Sequence, residues 1–571
     1  MWVLAILGLI GSIASIAALA DAATAPPLRV THAAVASDHP LASAAGVTMM
    51  KAGGNAVDAA CATALALGVV HPDASGIGGG GFAVVYLASS KQAFALDFRE
   101  RAPAAVTPAA FFKDGKVDPE LSRHGGLAVA VPGEVRGLAE MVKRWGKLPF
   151  SKCVEGAQRL ANRGFPVSWR LARSLGSLHP AAGPAVPGNA RFLETFATKP
   201  IAEGATLKRP DLGWTLQRLR AGGADAFYKG PVAQEIVKAV RAAGGLMTEQ
   251  DLADYTATVR PPLEGAYRGL RVLSMPPPSS GGVALIETLG ILSNVYRTDE
   301  DVRREGRGSS AYLHVLAEAL KHGFADRARY LGDTDFVKVD LAHLTSPTYH
   351  TQLARRIKRD AVLPRDGYGT LGPPPAQHRD GGTTNLSVID AEGNAVALTT
   401  TVNLGFGAHL RAGKTGILLN DQMDDFSLNP GVPNAFGLIG NEQNAVAPRK
   451  RPLSSMTPTI AVDGAGHVQV VVGAAGGPTI ISATVQVLLD VVDWKMDAQA
   501  AVAAPRIHDQ WFPETLAVEP EIARDVLDNL TRRGHKLQEA PHIGTANVLV
   551  RTDRGIEAGA EPRSPSAPAG Y

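Results

Sequence analysis

Asp380-Gly381-Gly382-Thr383-Thr384-Asn385-Leu386-Ser387-Val388-Ile389 is the stretch on which the fold of this chain turns. Two glycines, whose backbone reaches conformations closed to other residues, run straight into a pair of threonines. From Thr383 the residues alternate toward Val388 with the period of a strand. The polar turn Asp390-Ala391-Glu392-Gly393-Asn394 leads to a second β-rich run, Ala395 to Val402, so a hairpin is expected. A hydroxyl then stands at the hairpin mouth, just after a Gly-Gly pair. That placement suits a threonine that cuts the chain before itself and then works as an N-terminal nucleophile. Taken alone, these residues read more commonly as an ordinary Gly-Gly loop entering a strand. The rest of the chain decides.

With 45% hydrophobic and 19% charged residues in 571, the composition is globular and long enough for several domains. A formal net charge of +3 without a long basic run gives no support to nucleic-acid binding. The cluster Arg449-Lys450-Arg451, flanked by prolines, reads as a solvated loop. Trp2 to Leu19 is apolar and ends in Ala18-Leu19-Ala20, which resembles a secretory signal peptide over residues 1–20. Export to a bacterial periplasm is therefore expected, with a retained N-terminal membrane anchor as the alternative because no Lys or Arg precedes the apolar run. Cys61 and Cys153 are the only cysteines. Cys61 sits in the Ala-rich run Ala56 to Leu67 and reads as a buried free thiol, though a disulfide stays open in an exported protein. Without matching histidines, two cysteines argue against a metal site.

Ser43 to Val70 reads as two helices divided by Gly53-Gly54-Asn55. Ser75-Gly76-Ile77-Gly78-Gly79-Gly80-Gly81 contains G-x-G-x-x-G, with Asp97 near the spacing of a ribose-binding acid. A dinucleotide site needs those glycines after a strand and before a helix. Here they follow a helix and open the strand Phe82 to Leu87, so closely packed backbone is the better reading. Ala93 to Phe98 completes a hairpin that ends at Arg99. Val131 to Ala253 is mainly helical, and Ala311 to Tyr330 places Glu318, His322 and Asp326 four apart on one face, in surface or packing roles rather than as metal ligands. Asp340 to Asp380 turns basic and then Pro/Gly-rich, which reads as an exposed, poorly structured tail leading to Thr383.

Several motifs, in order, resemble the γ-glutamyltranspeptidases, the glutathione hydrolases. They are Gly53-Gly54-Asn55-Ala56-Val57-Asp58-Ala59, Pro277-Pro278-Ser279-Ser280-Gly281-Gly282, Gly382-Thr383-Thr384, Asn420-Asp421-Gln422-Met423-Asp424-Asp425-Phe426-Ser427, Pro452-Leu453-Ser454-Ser455-Met456 and Ala475-Gly476-Gly477. The likeness runs from about Val30 to Tyr571. It implies an α+β fold, the αββα sandwich of N-terminal nucleophile hydrolases, made as a self-cleaving proenzyme. It implies a cut between Gly382 and Thr383 into a large chain (21–382) and a small chain (383–571) that form one intertwined body. No metal or organic cofactor is implied. The substrates would be glutathione and other γ-glutamyl compounds, with water, amino acids or dipeptides as acceptors.

By the same resemblance Thr383 is the nucleophile, Thr401 its hydrogen-bonding partner, and Gly476 and Gly477 supply the N–H pair for the oxyanion. Arg99, Ser454 and Ser455 match the groups that hold the α-carboxylate; Asn403, Gln422 and Asp425 match those that hold the α-ammonium. Adjacent strand residues face opposite ways, so only one of Asp424 and Asp425 is expected in the pocket, and the match selects Asp425. Pro430 to Val446 resembles the lid loop of bacterial members, in which a tyrosine latches over the pocket. Phe436 stands there, so a looser lid held by packing alone is expected, with easier access for water. A cephalosporin or glutaryl acylase shares the nucleophile but not the full amino-acid pocket, and a poly-γ-glutamate depolymerase would lack the lid. A non-catalytic exported binding protein would stay uncut.

Overall fold

The computed structural model describes residues 25–178, 189–196, 200–369 and 381–571. The leader and the stretch 370–380 lie outside the described residues. Two seven-stranded antiparallel sheets lie face to face. The first runs Ala569–Gly570, Ala34–Ser37, Gly381–Ile389, Ala395–Leu404, Gly80–Leu87, Gln92–Phe98, Thr258–Arg260. The second runs Leu28–Val30, Gly555–Gly559, Thr545–Thr552, Val468–Ala475, Thr459–Val462, Leu270–Ser274, Leu263–Tyr267. Between them Val84, Tyr86, Ile389 and Ala397 meet Leu273, Ile460, Val471 and Leu549. Helices Pro40–Lys51, Ala56–Val70, Glu134–Trp145 and Phe150–Arg163 cover the outer face of the first sheet. Helices Gly281–Val295, Ser310–Tyr330 and Thr479–Val492 cover the second. This is the expected αββα sandwich. Both sheets mix strands from either side of Gly382.

The two-residue period of the central hairpin sorts its side chains. Leu386 and Val388 pack under the helices, while Ser387 donates to the carbonyl of Asn547 in the second sheet at 3.3 Å. Thr383 has the parity of Ser387 and faces the same way. Neither Gly381 nor Gly382 takes a left-handed backbone. What Gly382 supplies is clearance, since a Cβ there would lie 2.2 Å from the Leu404 carbonyl and 2.8 Å from that of Asp73. The glycine run behaves alike: a Cβ on Gly79 would lie 2.0 Å from the Thr401 carbonyl, and one on Gly81 2.2 Å from that of Thr399. Glycine lets strand Gly80–Leu87 lie against the strand that carries Thr401. The helix Ala56–Val70 starts at a capping box between Asn55 and Asp58; Cys61, within it, and Cys153, on helix Phe150–Arg163, are buried free thiols.

Two readings need correction. The segment 340–369 is not a loose tail: it forms helices Leu341–Leu344 and Pro347–Arg356, and Tyr368 is buried with its hydroxyl on Glu318. The basic cluster is not a solvated loop. Arg451 is buried, ion-paired to Asp97 at 3.3 Å and donating to the Arg99 carbonyl, while Lys450 donates to the carbonyls of Gln443 and Ala445. A long side chain that finds carbonyls or a carboxylate can be buried despite its charge. Glu318, His322 and Asp326, expected in surface or packing roles, are all buried and take the packing role, with Glu318 on Lys321 at 2.9 Å and Asp326 on the Tyr349 hydroxyl at 2.7 Å.

Candidate active site

Thr383 and Thr401 stand opposite each other across the central hairpin, where the register shifts between Gly382 and Thr383. Their hydroxyl oxygens are 2.9 Å apart. Thr401 Oγ1 is 2.8 Å from the Gly382 carbonyl oxygen and receives the Asn403 N–H at 2.9 Å. The proton assignment follows from valence. A carbonyl only accepts, so the Thr401 proton goes to Gly382 O, and Thr383 donates to Thr401. The lone pairs of Thr383 Oγ1 are left free beside a carbonyl already polarised by a hydroxyl.

Around this pair, Arg99, Asn403, Gln422, Asp425, Phe436, Ser454, Ser455 and Gly477 line one recess with Thr383 and Thr401. Arg99 leaves the end of strand Gln92–Phe98, with its backbone N–H on Asp97 and its Nε on the Pro452 carbonyl at 3.2 Å. Its guanidinium is ion-paired to Asp425. Gln422 Nε2 donates to the same carboxylate at 2.8 Å. Ser454 is set by the Pro277-Pro278-Ser279-Ser280 stretch: its N–H reaches the Pro278 carbonyl at 2.8 Å, and its own carbonyl takes the Ser280 hydroxyl at 2.7 Å. Two buried polar atoms of the recess, Gln422 Oε1 and Ser455 Oγ, make no hydrogen bond with any described residue. Asp424 points elsewhere, to Ser122 at 2.8 Å and Arg123 at 3.3 Å. Its separation from Asp425 does not come from strand alternation, because Gln422–Asp425 is a turn of 3₁₀ helix.

Gly477 lines the recess and Gly476 sits behind it, both with positive φ, at the entry to helix Thr479–Val492. The start of a fourteen-residue helix favours negative charge. The Phe436 ring closes over them: a Cβ on Gly477 would lie 2.7 Å from its Cδ1, and one on Gly381 3.3 Å from its Cε1. The loop expected to act as a lid is not held by packing alone. Asn434 Nδ2 donates to Asp425 at 3.3 Å, and the Ala435 N–H to Asp424 at 2.9 Å. Asn403, for its part, spends its amide on the Asp421 carbonyl at 3.1 Å. Asn434 carried no signal in the sequence beyond ordinary turn chemistry, since its value lies in reaching Asp425 across nine positions. Asn434→Ala is expected to raise the KM for a γ-glutamyl donor about tenfold, the low end for one neutral-to-charged hydrogen bond, and to shift product toward hydrolysis; product ratios with and without an acceptor dipeptide check it.

Two buried acids lie beside the site, one against the hairpin and one against Arg99. Glu134 accepts from the hydroxyl of Thr400, beside Thr401, at 2.7 Å, and burial pushes its carboxyl up to about 8. Glu100, 3.6 Å from Arg99, is raised by burial to about 7. Both are protonated in the fold at pH values where the unfolded chain has lost those protons. The folded state then binds more protons, so stability falls as pH rises from about 4.5 through the raised values. Glu134→Gln should therefore flatten the fall in melting temperature between pH 6 and pH 9; a parallel fall in both proteins would refute it.

An αββα sandwich with a threonine hydroxyl poised behind a Gly-Thr bond at the head of a central strand defines an N-terminal nucleophile hydrolase. Within that class the chain belongs to the γ-glutamyltranspeptidase family, whose model matches residues 42–571. It is 40% identical over 542 residues to the glutathione hydrolase proenzyme of Escherichia coli, covering 94% of this chain and 91% of that one. The proenzyme of the same name from Pseudomonas aeruginosa is 39% identical over 536 residues, 93% of each chain. Among solved structures, the cephalosporin acylase of Bacillus halodurans superposes with a TM-score of 0.82 at 28% identity, covering 96% and 97% of the two chains. The γ-glutamyltranspeptidase of Helicobacter pylori gives 0.53 at 39% identity, over 60% of this chain and 94% of that one.

Proposed function

We infer that this chain is a γ-glutamyl hydrolase and acyl transferase acting on glutathione and related amides, after cutting itself between Gly382 and Thr383. The observation that carries the reading is the pair of unpartnered atoms flanking the Arg99–Asp425 ion pair. Buried polar atoms without partners are costly, and a free α-amino acid end satisfies them together. An α-ammonium takes Asp425 and Gln422 Oε1; an α-carboxylate takes Arg99, Ser454 and Ser455.

In the precursor, Thr383 Oγ1 attacks the Gly382 carbonyl carbon. The C–N bond breaks, the nitrogen takes the hydroxyl proton, and Gly382 becomes an ester on Thr383. Water then releases it, leaving residues 21–382 as the large chain and 383–571 as the small one. The interleaved strands keep the two together. The new α-amine, with an ordinary pKa of about 7.7–8.0, serves as base for its own hydroxyl. The γ-carbonyl of the donor is attacked in turn, its oxyanion facing Gly476 and Gly477. The amine leaves, and water or the amino group of an amino acid or dipeptide takes the γ-glutamyl group. We also infer export, on the leader reading; among the described residues no helix is long and apolar enough to cross a membrane.

The test pairs intact mass with two anilides. Two fragments, the smaller beginning at Thr383, and hydrolysis of γ-glutamyl anilide at least about 100-fold faster than of glutaryl anilide are expected, because the missing ammonium leaves Asp425 without its ligand, a loss of about 3 kcal/mol. Preference for the glutaryl compound would support the acylase reading instead. An uncut, inactive chain would end both.

A further inference from the structure

Arg327, on helix Ser310–Tyr330, is a buried cation without an anion of its own. It is 3% exposed, forms no ion pair among the described residues, leaves its Nε unbonded, and makes a single long contact of 3.5 Å to the Ile439 carbonyl of the lid. The neighbouring lid residue Leu438 lines the recess. The charges that Arg327 feels are Asp425, which attracts it, and Arg99, which repels it. Burial lowers its guanidinium to about 10, so it stays charged at neutral pH.

The charges at this end of the recess do not balance. Arg99 is paired with Asp425, and Arg327 is close enough to feel the charge of both. Asp424 is committed to Arg123, and Glu100 and Asp421 are driven toward their neutral forms by burial. A γ-glutamyl end brings one charge of each sign and leaves the surplus as it was. The surplus therefore acts on the two ends of the ligand unequally.

We propose that Arg327 is a specificity-determining residue of the donor site, whose unpaired charge makes the α-carboxylate of the ligand count for more than its α-ammonium. It does so in two ways. It lowers the cost of drawing Arg99 away from Asp425, since a second cation remains to compensate that carboxylate. It also adds attraction for an incoming carboxylate and opposes an incoming ammonium. Arg327 touches neither reacting atom; it acts on ligand choice, and its proposal rests on the γ-glutamyl reading of the pocket.

Competitive inhibition of γ-glutamyl-p-nitroanilide hydrolysis separates the two charges. Both keep the γ-carboxylate of glutamate; glutarate has the α-carboxylate without the α-ammonium, and 4-aminobutyrate has the α-ammonium without the α-carboxylate. In the wild type, glutarate should inhibit at least about tenfold more tightly than 4-aminobutyrate, a margin of 1.4 kcal/mol. Arg327→Met should lose most of that ratio, chiefly through weaker glutarate, whereas Arg327→Lys should keep it. Conversion to two chains shows that each variant has folded. Equal loss for both inhibitors in Arg327→Met would mean a structural role and overturn the proposal. A wild type that binds 4-aminobutyrate as tightly as glutarate would overturn it without any variant. A wild type that leaves the anilide intact would instead refute the γ-glutamyl reading itself.

Discussion

Thr383→Ala is expected to leave one uncut chain and to abolish γ-glutamyl transfer, with activity down roughly 10⁴–10⁶-fold, the range seen when a nucleophile is removed from a working site. Both losses have one origin. On the proposed mechanism the same Oγ1 attacks Gly382 in the precursor and the donor afterwards, and no other hydroxyl in the recess is placed to replace it. Thr401 lies 2.9 Å away, but its proton is committed to the Gly382 carbonyl and its oxygen receives the Asn403 N–H. Ser454 Oγ receives the Met456 N–H at 3.0 Å. Ser455 Oγ has no partner among the described residues, and the proposed reading assigns it to the α-carboxylate of the donor. The fold itself should survive, because Thr383 is only the edge of a strand whose apolar side chains lie further on, at Leu386 and Val388. Intact mass and far-ultraviolet circular dichroism on the same sample check this: a single chain with wild-type secondary structure and no turnover. A variant that still yields two fragments would place the nucleophile elsewhere. Thr383→Ser should cut and turn over more slowly, since the β-methyl that restricts χ1 is gone.

The central hairpin and the first helices were legible because their signals are local, whereas the sandwich itself was implied only by the family resemblance. Alternation in Thr383–Val388, the Asp390–Asn394 turn and the Gly53-Gly54-Asn55 helix start are each written in a few consecutive residues, and each forms where it was expected. Local pattern failed where burial depends on a distant partner. Arg451 looks like surface until Asp97 and the Arg99 carbonyl meet it, more than three hundred positions away in the chain. Residues 347–356 read as tail because their polar face hides the two contacts that matter, His350 and Leu353.

The recess was legible through the family motifs, which name residues without saying how they are held. Ser279 and Ser280 are examples: matched as a motif, they prove to be the scaffold of Ser454 and Met456 through hydrogen bonds of 2.6–2.7 Å. The glycines before Thr383 were expected for conformational freedom and are needed for close approach instead. The loop read as a lid differed most. Its missing phenol was visible in Phe436, but the compensating Asn434–Asp425 contact was not, because it joins a loop to a turn whose relative position only the fold sets.

Thr401→Val is the substitution that separates self-cleavage from turnover. Valine keeps the shape and removes one oxygen with two duties. In the precursor that oxygen donates to the Gly382 carbonyl at 2.8 Å, where negative charge develops during attack. Losing a donor at such a place costs about 2.7–4 kcal/mol, a factor of about 10²–10³ in rate. After cleavage Gly382 has left, and only the contact to Thr383 Oγ1 at 2.9 Å remains, an ordinary hydrogen bond of about 1 kcal/mol net. Cleavage of the purified precursor should therefore slow by two to three decades, roughly. Turnover by the fraction that does mature should fall only about fivefold to tenfold. The buried Asn403 N–H loses its acceptor in both states, so the cost of that orphan is shared and cancels from the comparison. Thr401→Ser, which keeps the oxygen, should process at close to the wild-type rate. Mass spectrometry of precursor against time, with initial rates per mole of small chain, gives both numbers. Equal losses in the two steps would mean that Thr401 positions Thr383 and does not polarise the carbonyl.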